Sequence, residues 1–379
     1  MNTYYFDNAA TTKVKEEVLD TMLPYFKEDY GNPSAVYALA RNSKKAIENA
    51  REQVANLIGA NKQEIYFTGS GSEADNLALK GIAFCKKYKG NHIITSKIEH
   101  PAILDTCKFL ENEGFEITYL NVDNNGFVSL EDLTHSITDK TILISIMFAN
   151  NEIGTIEPIE DIGKIAHSNG ILFHTDAVQA AGNIEIDVKN LNVDMLSISS
   201  HKIYGPKGVG ALYVSKDVDF EKIINGGHQE KNKRAGTENV AGIVGFGKAA
   251  KLAKENLEKH ILEIKKLREY YIDEVLRKIP NIRINGAKNA RLPGNSNISF
   301  LGINANDLLL ELDNVGICAS SGSACSSKDP NPSHVLIALG LNKEEIEGAL
   351  RVTFGEYNTI KEIDYLIEQL EKAVVKLRK

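Results

Sequence analysis

The stretch MLSISSHKIYGPKGVGALYV, residues 195–214, decides how the chain is read. Met195–Ile198 is a short apolar run, and Gly210–Val214 is another. Between them lie Gly205, Pro206 and Gly208, residues that punctuate strands. Short apolar runs bounded by turn residues read as buried strands. Working outward towards the N-terminus, the same signature recurs at Ile65–Thr68, His92–Thr95, Glu116–Leu120, Thr141–Met147 and Ile171–Phe173. Helical patterns separate several of them. Ala46, Ala50, Val54, Leu57 and Ile58 recur at helical spacing, and Glu73–Lys86 and Ile159–His167 follow suit. Such alternation implies βαβ units: an α/β fold with a mostly parallel, seven-stranded sheet in a large domain, covered on both faces. In sheets of this kind ligands bind outside the carboxyl ends of the strands.

Past about residue 250 the rhythm changes. A long amphipathic helix is expected from Lys251 to Ile279. Short strands at Asn297–Leu301, Gly316–Ala319 and Leu350–Thr353 and a final helix from Ile360 follow. This reads as a smaller α+β domain, so the expected division is 14–255 for the large domain, with 1–13 and 256–379 forming the small one.

Composition excludes some functions. The 379 residues carry a net charge of −7, which argues against a nucleic-acid binder that neutralises phosphates. MNTYYFDNAATTK has no apolar core of a signal peptide, and no window approaches the roughly 18 apolar residues of a membrane span. Four cysteines, Cys85, Cys107, Cys318 and Cys325, are too few for a disulfide framework in so long a chain. A cytoplasmic location is expected. No CxxC pair or His/Cys cluster suggests a metal site.

The chemistry is sought at strand ends. Met195–Ile198 runs into Ser199-Ser200-His201-Lys202. A lysine there is either a surface residue in a glycine-rich turn or, if desolvated, an amine able to form a Schiff base. Asp176 closes the apolar run GILFHTD, where a carboxylate can pair with a protonated pyridine nitrogen, and Gln179 can reach a phenolic oxygen. Ile65–Thr68 leads into Gly69-Ser70-Gly71-Ser72 and then a helix, an arrangement whose backbone N–H groups bind phosphate. Together these needs describe pyridoxal phosphate (PLP). His100 follows another strand and either stacks on a ring and moves protons or caps the next helix. Asn150-Asn151-Glu152 trails a strand in the same way. Arg351 interrupts the apolar LRVTF and needs an anion, either a substrate carboxylate or an internal partner. Cys325 sits in SSGSACSSKDPNPSHVL, small and polar with two prolines, where a thiol can reach both a cleft and a partner. Cys318 reads as a strand cysteine, and Cys85 and Cys107 as helix positions.

These residues, in this order, resemble the cysteine desulfurases of the NifS/IscS type within the class V aminotransferases. The likeness runs through YFDNAATT (5–12), YGNPSA (30–35), EIYFTGSGSEADNLALKG (64–81), SKIEHPAILDTC (96–107), ANNEIGT (149–155), HTDAVQ (174–179), SSHKIYGPKGVGALYV (199–214), RAGTEN (234–239), SSGSACSS (320–327) and ALRVTFG (349–355). The resemblance implies the type I fold of PLP-dependent transferases, as a homodimer with its active sites at the subunit interface. It implies L-cysteine as substrate and an iron–sulfur scaffold or other sulfur acceptor as partner. It assigns the Schiff base to Lys202, the ring nitrogen to Asp176, the phenolic oxygen to Gln179 and ring stacking to His100. Gly71, Ser72, Ser199 and His201 would hold the phosphate, with Thr237 reaching in from the other subunit. Asn151 would lie near the ring, Arg351 and Asn32 would take the substrate carboxylate, and Cys325 would be the nucleophile and the residue that meets an iron–sulfur cluster in transfer.

Two departures stand out: Gly-Ser-Gly-Ser where relatives more often have Ser-Gly-Ala-Thr, and an end at LRK without the longer tail that meets a scaffold. Selenocysteine lyase or another class V reaction is the alternative activity, and a sulfur carrier without catalysis is the non-enzyme reading.

Overall fold

The computed structural model describes residues 3–322 and 332–379. In chain order its strands are β1 (Tyr4–Tyr5), β2 (Ile65–Thr68), β3 (His92–Ser96), β4 (Glu116–Leu120), β5 (Thr141–Ser145), β6 (Leu172–Asp176), β7 (Met195–Ser199) and β8 (Gly210–Val214). They continue with β9 (Ile282–Ile284), β10 (Asn295–Phe300), β11 (Ile317–Cys318) and β12 (Ala349–Thr353). The seven expected strands form one sheet in the order β2-β8-β7-β6-β5-β3-β4. β8 runs against both its neighbours, and the other pairings are parallel. β3, β5, β7 and β8 are buried at every position, which is why they read as continuous apolar runs rather than alternating ones.

Helices pack on both faces. On one, Ala50, Val54 and Ile58 from helix Ala38–Leu57 and its end join Ile144, Phe173, Ile198 and Phe246 in one apolar cluster. On the other, Leu77 and Ile82 from helix Gly71–Lys86 and Ile103 and Leu110 from helix Pro101–Asn112 pack over Leu143, Met195 and Leu212. Close contact between helices Ala38–Leu57 and Val240–Glu255 needs Gly247, where a Cβ would stand 2.5 Å from Ala50 Cα.

A third cluster brings Phe6 together with Ile264, Tyr271, Phe300, Leu350 and Leu370 around the antiparallel sheet β12-β10-β9. The N-terminal segment is stitched onto this part. β1 pairs with β11, and Asp7 bridges Thr353 at the end of β12.

The long helix expected at 251–279 is two helices, Val240–Glu255 and Leu257–Lys278. Asn256 ends the first. Its backbone leaves helical geometry at φ −110° and ψ 7°, and its side chain donates to Leu252 O at 2.9 Å. The division has a packing cause, since the first helix buries Ile243 and Phe246 against the large sheet and the second buries Tyr271 and Val275 in the third cluster. Strand limits also shift. β5 stops at Ser145, two residues early, and β6 starts one residue later and runs on to Asp176. No helix among the described residues is long and apolar enough to cross a membrane.

Candidate active site

Parallel strands send their following loops to one edge, and that edge holds a cavity of about 160 Å³. Ser70, Gly71 and Ser72 arrive from β2, His100 from β3, Met147, Ala149 and Asn151 from β5, Asp176 and Gln179 from β6, and Ser199, His201 and Lys202 from β7. Ala9, Ala10 and Arg351 close it from the N-terminal segment and β12.

At one wall, helix Gly71–Lys86 begins two residues earlier than expected. Ser70 is its N-cap, and its hydroxyl accepts from Glu73 N–H at 3.1 Å. The first N–H groups of a helix have no intrahelical partner, so those of Gly71 and Ser72 are open to an anion. Gly71 cannot be larger, because a Cβ would stand 2.7 Å from Val178 Cγ2. His201 Nδ1 lies 3.0 Å from Thr11 Oγ1. Burial, then Lys202 and Lys207, push its pKa down to about 4, so the ring is neutral and has its other nitrogen for an acceptor.

Asp176 ends β6, is 6% exposed, and accepts from Val178 N–H at 2.9 Å. Burial raises its pKa, while His100 and Lys202 pull it down. A cation placed against this carboxylate would favour its charged form, which is what a protonated pyridine nitrogen supplies. His100 caps the helix that follows and also lines the cavity. Its Nδ1 accepts from Ala102 N–H at 3.1 Å, which assigns the proton of the neutral ring to Nε2.

Lys202 Nζ donates to Ala9 O at 2.5 Å and Ala10 O at 2.8 Å, and Gln179 Nε2 donates to Ala9 O at 3.0 Å. Lys202 is therefore in the cavity wall and not in an open turn. Arg351 is 1% exposed and carries two ties, Nη2 to Asp7 Oδ1 at 2.6 Å and Nη1 to Asn151 O at 3.0 Å, while its Nε has no partner among the described residues. The internal ion pair is what the structure shows, on a guanidinium that also faces the cavity.

Asn32 and Thr237 are exposed and do not line this chain's cavity. Asn32 Oδ1 accepts from Ser34 N–H at 3.0 Å. Cys325 lies outside the described residues. Cys107 is buried and its thiol is pushed up to about 12, and burial also raises that of Cys318 in β11, so neither is poised as a thiolate.

Sequence reasoning missed Asp75, Asp7 and the Ala9 and Ala10 carbonyls. Asp75 is 1% exposed and lines the cavity, and burial and Asp176 push its pKa well above the carboxylate range. Behind it His174, pushed down to about 3 by burial, bridges Ser145 and Ser197 at 2.9 and 3.0 Å. Asp75 had a signal, a lone carboxylate between Ala74 and Leu77 on a buried helix face.

An anion cradle at one end, a carboxylate at the other and a lysine between them fit pyridoxal phosphate, and the class is that of PLP-dependent enzymes with a parallel-sheet large domain. The chain belongs to the aminotransferase class-V family, whose sequence pattern matches residues 4–366. It is 54% identical over 376 residues to a "Cysteine desulfurase IscS" of Clostridium botulinum, covering 99% of this chain and 95% of that one. Among solved structures, a "NIFS-LIKE PROTEIN" superposes with a TM-score of 0.94 at 37% identity, covering 99% of this chain and 100% of the other. "SspA in complex with cysteine" superposes with a TM-score of 0.83 at 38% identity, covering 94% and 100%.

Proposed function

We infer that the protein is a PLP-dependent cysteine desulfurase that converts L-cysteine to L-alanine and passes the sulfur to Cys325 as a persulfide. The observation that carries the reading is the meeting of Lys202, Asp176, His100 and Arg351 at one cavity, from strands β7, β6, β3 and β12. The names of its relatives, at 54% identity over nearly the whole chain, support the same activity.

Lys202 is the amine that holds the cofactor aldehyde. Gly71, Ser72, Ser199 and His201 would hold the phosphate, with Asp176 for the ring nitrogen and Gln179 for the phenolic oxygen. When bound, the cofactor supplies the electron sink that makes the substrate Cα proton acidic. Lys202 Nζ takes that proton, or His100 Nε2 relays it, since both line the same cavity. Arg351 takes the substrate carboxylate, with Asn151 as a further contact. For this the guanidinium must share its charge between Asp7 and the substrate. The reaction balances without another reactant. The Cβ–S bond of cysteine breaks, an S–S bond forms on the Cys325 thiolate, and the carbon skeleton gains protons to become alanine.

The enzyme acts as a cytoplasmic homodimer, with Thr237 of each subunit completing the phosphate site of the other. The exposure of Thr237, which is not among the residues lining its own chain's cavity, supports that part. The persulfide goes to an iron–sulfur scaffold or another sulfur-acceptor protein. Purified protein loaded with pyridoxal phosphate and given L-cysteine and a thiol is expected to release alanine and sulfide in equal amounts. A protein whose visible cofactor band survives Lys202→Ala, or that consumes cysteine without making alanine, would overturn the reading.

A further inference from the structure

Three consecutive residues other than glycine, Glu230, Lys231 and Asn232, have φ values of 44°, 57° and 65°. A left-handed run of such residues is unfavourable and persists only where its surroundings over-determine it. Here all three side chains are tied down. Glu230, 6% exposed, grips Arg51 with both carboxylate oxygens, at 2.6 Å from Nη1 and 2.9 Å from Nη2, and Oε2 also accepts from Phe67 N–H at 2.9 Å. Lys231 Nζ donates to the carbonyls of Gln63 and Ile65 and lies 4.5 Å from the centre of the Tyr66 ring. Asn232 Oδ1 accepts from Lys222 Nζ at 3.1 Å.

The Glu230 and Lys231 anchors share a location. β2 is the edge strand of the large sheet, and Ile65 O and Phe67 N–H are main-chain groups that it would otherwise leave open. The strained turn is therefore docked on the outer edge of β2. Two residues further on, Arg234 Nε pairs with Glu73 Oε1 at 2.8 Å, and Glu73 Oε2 accepts from Gly69 N–H at 2.8 Å in the phosphate loop. From this double attachment the chain runs out to Gly236 and Thr237, both exposed. A turn held against its own preference at both ends fixes the direction in which the following residues leave the surface.

We propose that Glu230 is a positioning residue that acts across the subunit boundary: with Arg51 it holds the strained turn so that Thr237 is presented to the cofactor phosphate in a second copy of this chain. The inference rests on the dimeric, PLP-binding reading above and adds to it the device that preorganises the contact. A bidentate buried pair suits the task, because the geometry of both planar groups is fixed and neither charge tolerates loss of the other.

Two chains carrying Glu230→Gln and Lys202→Ala, purified as a mixed dimer through different tags, test it through cofactor affinity, read from the visible band and from fluorescence during titration with pyridoxal phosphate. In the Glu230→Gln homodimer the dissociation constant is expected to rise about tenfold to a hundredfold, the scale on which a misplaced contact is felt. In the mixed dimer the only intact Lys202 belongs to the Glu230→Gln chain, while the turn that serves it belongs to the other chain. Its affinity is expected to return to within about threefold of wild type. A mixed dimer as weak as the Glu230→Gln homodimer would mean that Glu230 acts within its own chain, and the proposal fails. So would a homodimer with wild-type affinity. Asn232→Gly, which accepts the left-handed conformation without strain, is expected to recover part of the affinity when added to Glu230→Gln, and no recovery would also count against the proposal. A monomeric mass in light scattering would overturn the dimeric reading itself, and a dimer without complementation would overturn only the role of Glu230.

Discussion

Replacing Glu99 by glutamine is expected to make the protein more stable in alkali and to leave it little changed in acid. Glu99 is fully buried, directly before His100. Its Oε1 accepts from Ser96 Oγ at 2.6 Å and Met147 N–H at 2.9 Å, while Oε2 has no partner among the described residues. Burial pushes its pKa from 4.5 up to about 8, against the pull of those two donors, with smaller pushes from Asp176 and Glu157. The folded state therefore holds a proton that the unfolded chain releases. Stability from this group falls as pH rises from 4.5 towards 8, then levels off. At about 1.4 kcal/mol per pH unit, a rise from 4.5 to about 8 corresponds to an upper bound on the order of 5 kcal/mol. The glutamine amide keeps both contacts at Oε1 and never ionises. Its NH₂ takes the place of the unpartnered oxygen at about 1–3 kcal/mol, a cost partly shared by the protonated acid. Between about pH 5 and pH 9 the variant's stability relative to wild type should thus improve by about 2–5 kcal/mol. Urea midpoints of the holoenzyme across that range measure it. Glu157, also pushed up to about 8, is untouched, so the variant keeps part of the decline. Parallel curves for the two proteins would refute the reasoning, since they would mean that Glu99 binds its proton equally in both states.

Other outcomes follow from the same contacts. Arg351→Lys keeps a charge for Asp7 but loses the planar fork, so KM for L-cysteine should rise about tenfold or more with a smaller change in kcat, measured by alanine formation. Asp7→Asn removes the competing anion from Arg351, and KM should fall or hold while the thermal midpoint drops, because the buried guanidinium loses its partner. Asp176→Asn should weaken cofactor binding and slow alanine formation by about a hundredfold, with the cofactor band showing the altered ring nitrogen.

Much of the fold was legible because it is local. Four strands of the large sheet, β3, β5, β7 and β8, are short runs buried on both faces, and such runs need no alternation to be seen. For the same reason the residues just past each run, Lys202, Asp176, His100 and Gly71, could be read as a site before any of them was placed. What stayed hidden depends on distant pairing. Asp7 and Arg351 are 344 residues apart in the chain, and Glu230 and Arg51 are 179 apart, so neither ion pair leaves a pattern in sequence. The break at Asn256 was masked because both helices around it are amphipathic, and only their burial in different cores separates them. Asn32 and Thr237 were assigned by resemblance, and a single chain does not bring them to the cavity.

The central claim is that cysteine sulfur passes to Cys325. A single turnover of holoenzyme with L-cysteine, quenched by a thiol-blocking reagent and digested, tests it by mass spectrometry. Fragmentation of the peptide that carries both Cys318 and Cys325 should place one added sulfur atom on Cys325 in proportion to the alanine formed, and the peptides of Cys85 and Cys107 should gain none. Alanine appearing at the normal rate in Cys325→Ser, or the added sulfur on Cys318 in the wild-type enzyme, would contradict it.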